Sequence, residues 1–260
     1  MQDDTRLEDA LELMRDLRER CEWDRAQTHE SLRPYLIEEA HELDDALRAG
    51  EARQVREELG DVLLQVLFHS VIAEERGEFD AGDVAAALID KMKRRHPHLY
   101  GGGERELWEA MKARTRESIA EGLPAGLPAL HRAHRLQDRA AGVGFDWSDT
   151  EGPAQKVEEE LAEVRELLPA AERERASAAP GETPEMAALE SELGDLLFAV
   201  VNLCRRAGVH ASLALDRAND KFVRRFEHVE RLASDRGIVM GEADLATLDA
   251  LWDEVKAAER

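Results

Sequence analysis

Five acidic residues in two short blocks carry the first chemical signal in this chain: Glu159, Glu160 and Glu163 in EEELAEVRELL, and Glu192 and Asp195 in ESELGDLLFAVV. Acids three or four positions apart share one face of an α-helix, where like charges repel by roughly a few tenths of a kcal/mol per pair. Leu189, Leu193, Leu196, Leu197 and Val200 follow a helical period. Glu192 and Asp195 flank that stripe, at the edge of a helix–helix contact. Leu193 is expected to hold the helix to its neighbour. Gly194 costs about 1 kcal/mol relative to alanine, and is expected to let another backbone or a ligand approach. Two antiparallel helices would then converge four carboxylates, Glu160, Glu163, Glu192 and Asp195, and clustered anions need a cation. All-oxygen ligation points to Mg²⁺, with Mn²⁺ as a substitute, rather than zinc. Such a Mg²⁺ keeps waters and takes phosphate oxygens.

Cations follow downstream. Lys221 and Arg225 share a helix face and suit phosphate oxygens. Trp252 and Lys256, again four apart, set an aromatic surface beside a cation. The combination suits a nucleoside polyphosphate. No G-x-x-x-x-G-K-[ST] occurs, so the chain is not a P-loop enzyme. His96 and His98 lack a third ligand at helical spacing, and Pro97 reads as a helix end. Cys21 and Cys204 read as small buried apolar residues.

An isolated E-x-x-E pair in an acidic helix is most often solvated surface. Here it recurs. IEEAHELDDAL (37–47) aligns with EEELAEVRELL, so Glu38, Glu39 and Glu42 match Glu159, Glu160 and Glu163. ELGD at 58–61 supplies Glu58 and Asp61 as counterparts of Glu192 and Asp195. IDKMKRRHPHL aligns with NDKFVRRFEHV, matching Lys91 and Arg95 to Lys221 and Arg225. LWEAMKA aligns with LWDEVKA, matching Trp108 and Lys112 to Trp252 and Lys256. Four blocks in one order indicate duplication. Tyr35 stands where Lys156 stands in the second copy, so the first site has one cation fewer.

The elements that must position these residues are helices. The 260 residues are rich in Ala, Leu, Glu and Arg and poor in aromatics, which predicts an all-α fold. Glycine and proline punctuate at 121–128, the expected boundary between domains 1–122 and 123–260. The segment 169–185 reads as a mobile polar insertion. The net charge of −22 opposes general binding to nucleic acid or an anionic membrane. No signal peptide or membrane-spanning run is expected, and two cysteines fit a reducing cytoplasm.

E-E-x-x-E followed by E-x-x-D across a helical hairpin resembles the all-α nucleoside triphosphate pyrophosphohydrolases, and the tandem arrangement resembles the MazG family. CEWDRAQTHESL, KMKRRHPHLYG, LPALHRAHRLQDRAAGVGFDW, ANDKFVRRF and LWDEVK extend the likeness over nearly the whole chain. The resemblance implies Mg²⁺-dependent hydrolysis of a nucleoside triphosphate to monophosphate and pyrophosphate, with a role in clearing aberrant nucleotides. It implies that the C-terminal copy is the catalytic one. Glu160, Glu163, Glu192 and Asp195 would be metal ligands. Lys156, Glu159, Glu160, Lys221, Arg225 and Trp252 would bind the nucleotide, with Glu159 one choice to orient or deprotonate the attacking water. It further implies a homodimer whose helices form four-helix bundles. The N-terminal copy keeps Glu39, Glu42, Glu58, Asp61, Lys91 and Arg95, and only the family suggests that it is silent. Glu22 replaces a proline frequent in the family's first motif, and Ala188 replaces a lysine of close relatives. Two rival readings are a phosphatase releasing orthophosphate and a non-catalytic nucleotide-sensing protein.

Overall fold

A computed structural model describes residues 6–101, 112, 116–177 and 183–259. Among these residues there are eleven helices and no strand. They are α1 (Leu7–Arg20), α2 (Glu22–Ala26), α3 (His29–Ala49), α4 (Ala52–Glu75), α5 (Ala81–Arg95), α6 (Pro97–Tyr100), α7 (Ala129–Ala141), α8 (Glu151–Ser177), α9 (Pro184–Arg206), α10 (Ala211–Asp235) and α11 (Leu245–Ala258). The all-α expectation holds. The chain forms two compact units, Met1–Arg105 and Glu106–Arg260. No helix among the described residues is long and apolar enough to cross a membrane.

Local chemistry sets the helix ends. Thr28 caps α3 by accepting from the Ser31 amide at 3.2 Å, and Gly50 ends that helix in the left-handed conformation, φ 75°. Thr183 caps α9, with Pro184 in its first turn, where no amide hydrogen is needed. α5 stops at Arg95, just before Pro97 opens α6, in keeping with the helix end expected there. The segment 169–185 departs from expectation. Residues 169–177 continue α8 despite Pro169, and 178–182 lie outside the described residues.

In the first unit Met14, Leu32, Phe68, Val71 and Ile72 form the core, joining α1, α3 and α4. In the second, α8 and α9 fold back as a hairpin around Val164, Ala171 and Leu189, with Leu167 and Leu196 packed on them. A separate cluster of Val229, Ala233, Leu251 and Val255 joins α10 to α11.

The predicted α9 stripe splits. Leu189 is buried and Leu196 packs on the seam, but Leu193, Leu197 and Val200 are 41%, 58% and 38% exposed. Leu193 therefore does not hold α9 to its neighbour within one chain. At about 100° per residue Leu193 stands about 40° round the helix from Leu189, at the edge of the face that meets α8, where that helix leaves it uncovered. No atom lies within 4 Å of where a Cβ would stand on Gly60 or Gly194. Neither glycine admits a close neighbour from its own chain.

Candidate active site

The seam of α8 runs through Val164, Leu167 and Ala171. One turn earlier on the same line stands Glu160, 5% exposed, a carboxylate in a core position. A buried charge is costly unless paired. Lys156 supplies one partner: its ammonium lies 2.6 Å from Glu160 and 2.8 Å from Glu159. These bonds, that to Glu159 foremost, hold the Lys156 pKa well above the usual lysine value. Glu192 occupies the matching place on α9, and oxygens of Glu160, Glu163 and Glu192 lie within 4.8 Å of one another. Lost hydration, then the charges of Glu160 and Glu192, push the Glu163 carboxyl above the usual carboxylate value. Three hard oxygen donors that mutually repel fit a divalent cation of the Mg²⁺ or Mn²⁺ type. Asp195 is exposed, one turn beyond Glu192, and lines a cavity together with Lys156 and Glu160.

The downstream cations do not form one phosphate clamp within the chain. Arg225 donates to Glu259 Oε2 from Nε at 2.8 Å and from Nη2 at 2.6 Å, and lies 5.9 Å from the Trp252 ring centre. Trp252 packs on the α10–α11 core, 5.4 Å from the Phe222 ring. Lys221 instead lies on an exposed face with Arg217 and Arg224. Spacing along a helix assigns a common side, but Glu259 draws Arg225 toward the end of α11.

The N-terminal copy brings together Glu39, Glu58 and Asp61, again with oxygens inside 4.8 Å. Lost hydration and then Asp61 and Glu42 raise the Glu39 pKa. Lost hydration, then Glu42 and Asp61, raise that of Glu58. Glu58 Oε2 is buried without a hydrogen-bond partner. Tyr35, at the place of Lys156, packs edge-on against Trp23. Lys91 and Arg95 lie on α5. Trp108 lies outside the described residues.

The spacing of the acids did not disclose a cavity of about 460 Å³ that opens beside Lys156, Glu160 and Asp195. Leu136, Phe145, Trp147 and Phe198 give it apolar walls, and Gln137, Asn202 and Arg205 add polar groups. Trp147 lies so close to α8 that a Cβ on Gly152 would stand 2.0 Å from its ring. Arg205 donates to Asp146 at 3.2 Å, tying the turn before Trp147 to α9. Burial acts to raise the Asp146 pKa, but Arg205 and Arg206 outweigh it and hold the carboxyl below its usual value. The signal for these residues was the segment GVGFDW, whose role no spacing rule supplies.

The sequence profile of the MazG nucleotide pyrophosphohydrolase domain matches residues 27–100 and again 151–230. A Thermotoga maritima protein named nucleoside triphosphate pyrophosphohydrolase/pyrophosphatase MazG is 44% identical over 262 residues, spanning 97% of this chain and 96% of its own. An Escherichia coli K12 protein named nucleoside triphosphate pyrophosphohydrolase is 40% identical over 266 residues, spanning 98% and 97%. A Mycobacterium tuberculosis protein of the same name is 42% identical over 169 residues, spanning 61% of this chain and 50% of its own. With its acidic helical hairpin present twice and matched twice, the chain belongs to the MazG nucleotide pyrophosphohydrolase family.

Proposed function

We propose that this protein hydrolyses nucleoside triphosphates, with Mg²⁺, to the monophosphate and pyrophosphate, and that the copy within residues 123–260 is the catalytic one. The observation that carries the reading is the meeting of Glu160, Glu163 and Glu192 beside Lys156 at the mouth of a cavity. Glu160, Glu163, Glu192 and Asp195 would hold the cation. A bound divalent cation would neutralise triphosphate charge and make a water more acidic. Lys156 braces Glu159 and Glu160 through its paired hydrogen bonds. Glu159, exposed at the rim, is suited to take the proton of the attacking water. Water attacks, the α–β bond breaks, and the electron pair leaves with pyrophosphate. Lys221 and Arg225 offset its charge.

Among the described residues neither Lys221 nor Arg225 forms an ion pair with Glu160, Glu163, Glu192 or Asp195, which favours a second copy as their source. Leu193, Leu197 and Val200 on α9, with Phe222, Val223 and Phe226 on α10, give two exposed apolar rows for such a homodimer, completed as a four-helix bundle. Free Cys21 and Cys204 are consistent with work in the cytoplasm.

The test is product analysis with a panel of ribo-, deoxy- and oxidised triphosphates, with Mg²⁺ and with EDTA. Monophosphate and pyrophosphate in equal amounts, only with the cation, are expected. Orthophosphate without added pyrophosphatase would make the protein a phosphatase, and binding without turnover would make it a sensor. The panel also reads whether aberrant nucleotides are favoured.

A further inference from the structure

We propose that His131, His134 and His210 form a proton-operated joint: neutral, their rings hold the start of α10 on α7; charged, they let it go. The joint is separate from the carboxylate site but bears on it. α10 carries Lys221 and Arg225, and with them the exposed row of Phe222, Val223 and Phe226.

Few elements hold α10 in place. α8 and α9 share one core, and α10 and α11 share another. α11 meets α10 far along it, at Val229 and Ala233. α10 also touches α7 and α9. Where it meets α7, imidazole rings make the contact. His210, the residue just before α10, stands 5.0 Å from His131 and 4.6 Å from His134, ring centre to ring centre. Both partners come from α7, three positions apart on one side of the helix.

The surroundings suit neutral rings. Nδ1 of His134 and Nδ1 of His210 are buried with no hydrogen-bond partner. Protonation makes both nitrogens of a ring donors, and a charged donor buried without an acceptor is costly. The charged groups that bear on the rings are Arg135 and Asp138 on α7 and Arg205 on α9. Asp138 faces His134 Nε2 at 3.7 Å, but Arg135 draws on the same carboxylate at 3.1 Å. A proton on His210 would stand at the positive end of the α10 dipole. Lost hydration, then His210 and Arg135, hold the His131 pKa below the usual 6.5. For His134 lost hydration outweighs the pull of Asp138, and His210, Arg205 and His131 add to it. A released ring takes up a proton near 6.5, whereas a packed one resists it. The joint is therefore at full strength above that value. It weakens as pH falls through it, by up to about tenfold per histidine for each unit. Among the described residues only the two carboxylate clusters bring three ligand atoms within 4.8 Å of one another, so the three rings share protons rather than form a metal cage.

A local readout tests this, because the carboxylates at both acidic clusters respond to acid in the opposite sense. Amide hydrogen exchange is measured on the full chain at about pH 7.5 and about pH 5.5, corrected for intrinsic rates. Protection over residues 207–216 should fall about 10-fold or more in acid, while that over 229–233 stays within about twofold. The combined variant His131→Gln, His134→Gln and His210→Gln should lose this dependence on pH. Protection over 207–216 that ignores pH in the wild type, or an equal fall in the variant, would overturn the joint. So would a parallel fall at 229–233, which would mean that the unit melts as a whole. If the variant fails to fold, proton NMR of the wild type decides, with His131 and His134 assigned through single glutamine variants. Both should titrate below 6.5, in step with the loss of protection. Titration at the ordinary value, or out of step with protection, would sink the idea.

Discussion

The two carboxylate sites grow from the same tetrapeptide, yet they differ in what offsets their charge. In the second copy Lys156 lies 2.6 Å from buried Glu160, so one cation is already built into the cluster. In the first copy Tyr35 stands there and packs against Trp23, while Glu58 keeps a buried oxygen without a partner. Their surroundings differ as well. A cavity of about 460 Å³ with aromatic walls reaches the second cluster. In the first unit a smaller cavity of about 270 Å³ lies between α1 and α4, lined by Arg15, Arg18, Glu74 and Glu75, away from Glu39 and Glu58. Arg18 there is closed into hydrogen bonds with Glu75 and with backbone carbonyls, 3.0 Å from that of Gln27. A lysine in register and a cavity beside it are what distinguish the second cluster from the first.

Removing one ligand from each copy is the sharpest way to break that contrast. Glu163→Gln should lower turnover by at least about 100-fold, the upper end of what outer-shell partners cost. Glu42→Gln, its counterpart, should leave turnover within about twofold of wild type, a margin far below that range. Equal losses in steady-state kinetics would mean that both copies work. Next comes the cavity wall. Gly152→Ala drives a methyl group into Trp147 and should cost about 1–3 kcal/mol of unfolding free energy, as for overpacking. Chemical denaturation checks this, and an unchanged midpoint would show that Trp147 is not held there.

The dependence on pH sharpens the charge argument. Glu39, Glu58 and Glu163 have folded-state values raised above the usual 4.5. Their stabilising contribution is therefore complete below that value and is lost as pH rises through the raised ones. In EDTA the melting temperature should fall across this interval, and Mg²⁺ should restore it at neutral pH. Because Lys156 tempers only the second cluster, Glu58→Gln should relieve more of the fall than Glu163→Gln. A flat profile in EDTA would remove the repulsion from both sites. The smallest effect is a transplant: Tyr35→Lys adds an i,i+4 partner for Glu39 and should stabilise the metal-free protein by about 0.3–0.5 kcal/mol, read as a small rise in melting temperature.

The helices, the duplication and the acidic hairpin were legible in the sequence because each follows from spacing along one helix. Spacing does not say which neighbour a face meets. Leu193 and Leu196 belong to one apolar stripe, and only the turn of α9 against α8 separates the exposed residue from the packed one. Lys221 and Arg225 share a helical side, yet Glu259, 34 positions beyond Arg225, captures one of them. The cavity was hidden for the same reason: Gln137 and Phe198 are 61 positions apart and meet through one hydrogen bond, from the Gln137 amide to the Phe198 carbonyl.

Gly60 and Gly194 carry one last consequence. Each stands mid-helix with open space where a side chain would go. An effort to make the isolated chain more heat-resistant would replace both with alanine, gaining about 1 kcal/mol of helix propensity apiece. Nothing in one chain would object. In the homodimer proposed above, such a methyl group would face the second copy, so the optimum for the lone molecule and that for the assembly would part company there.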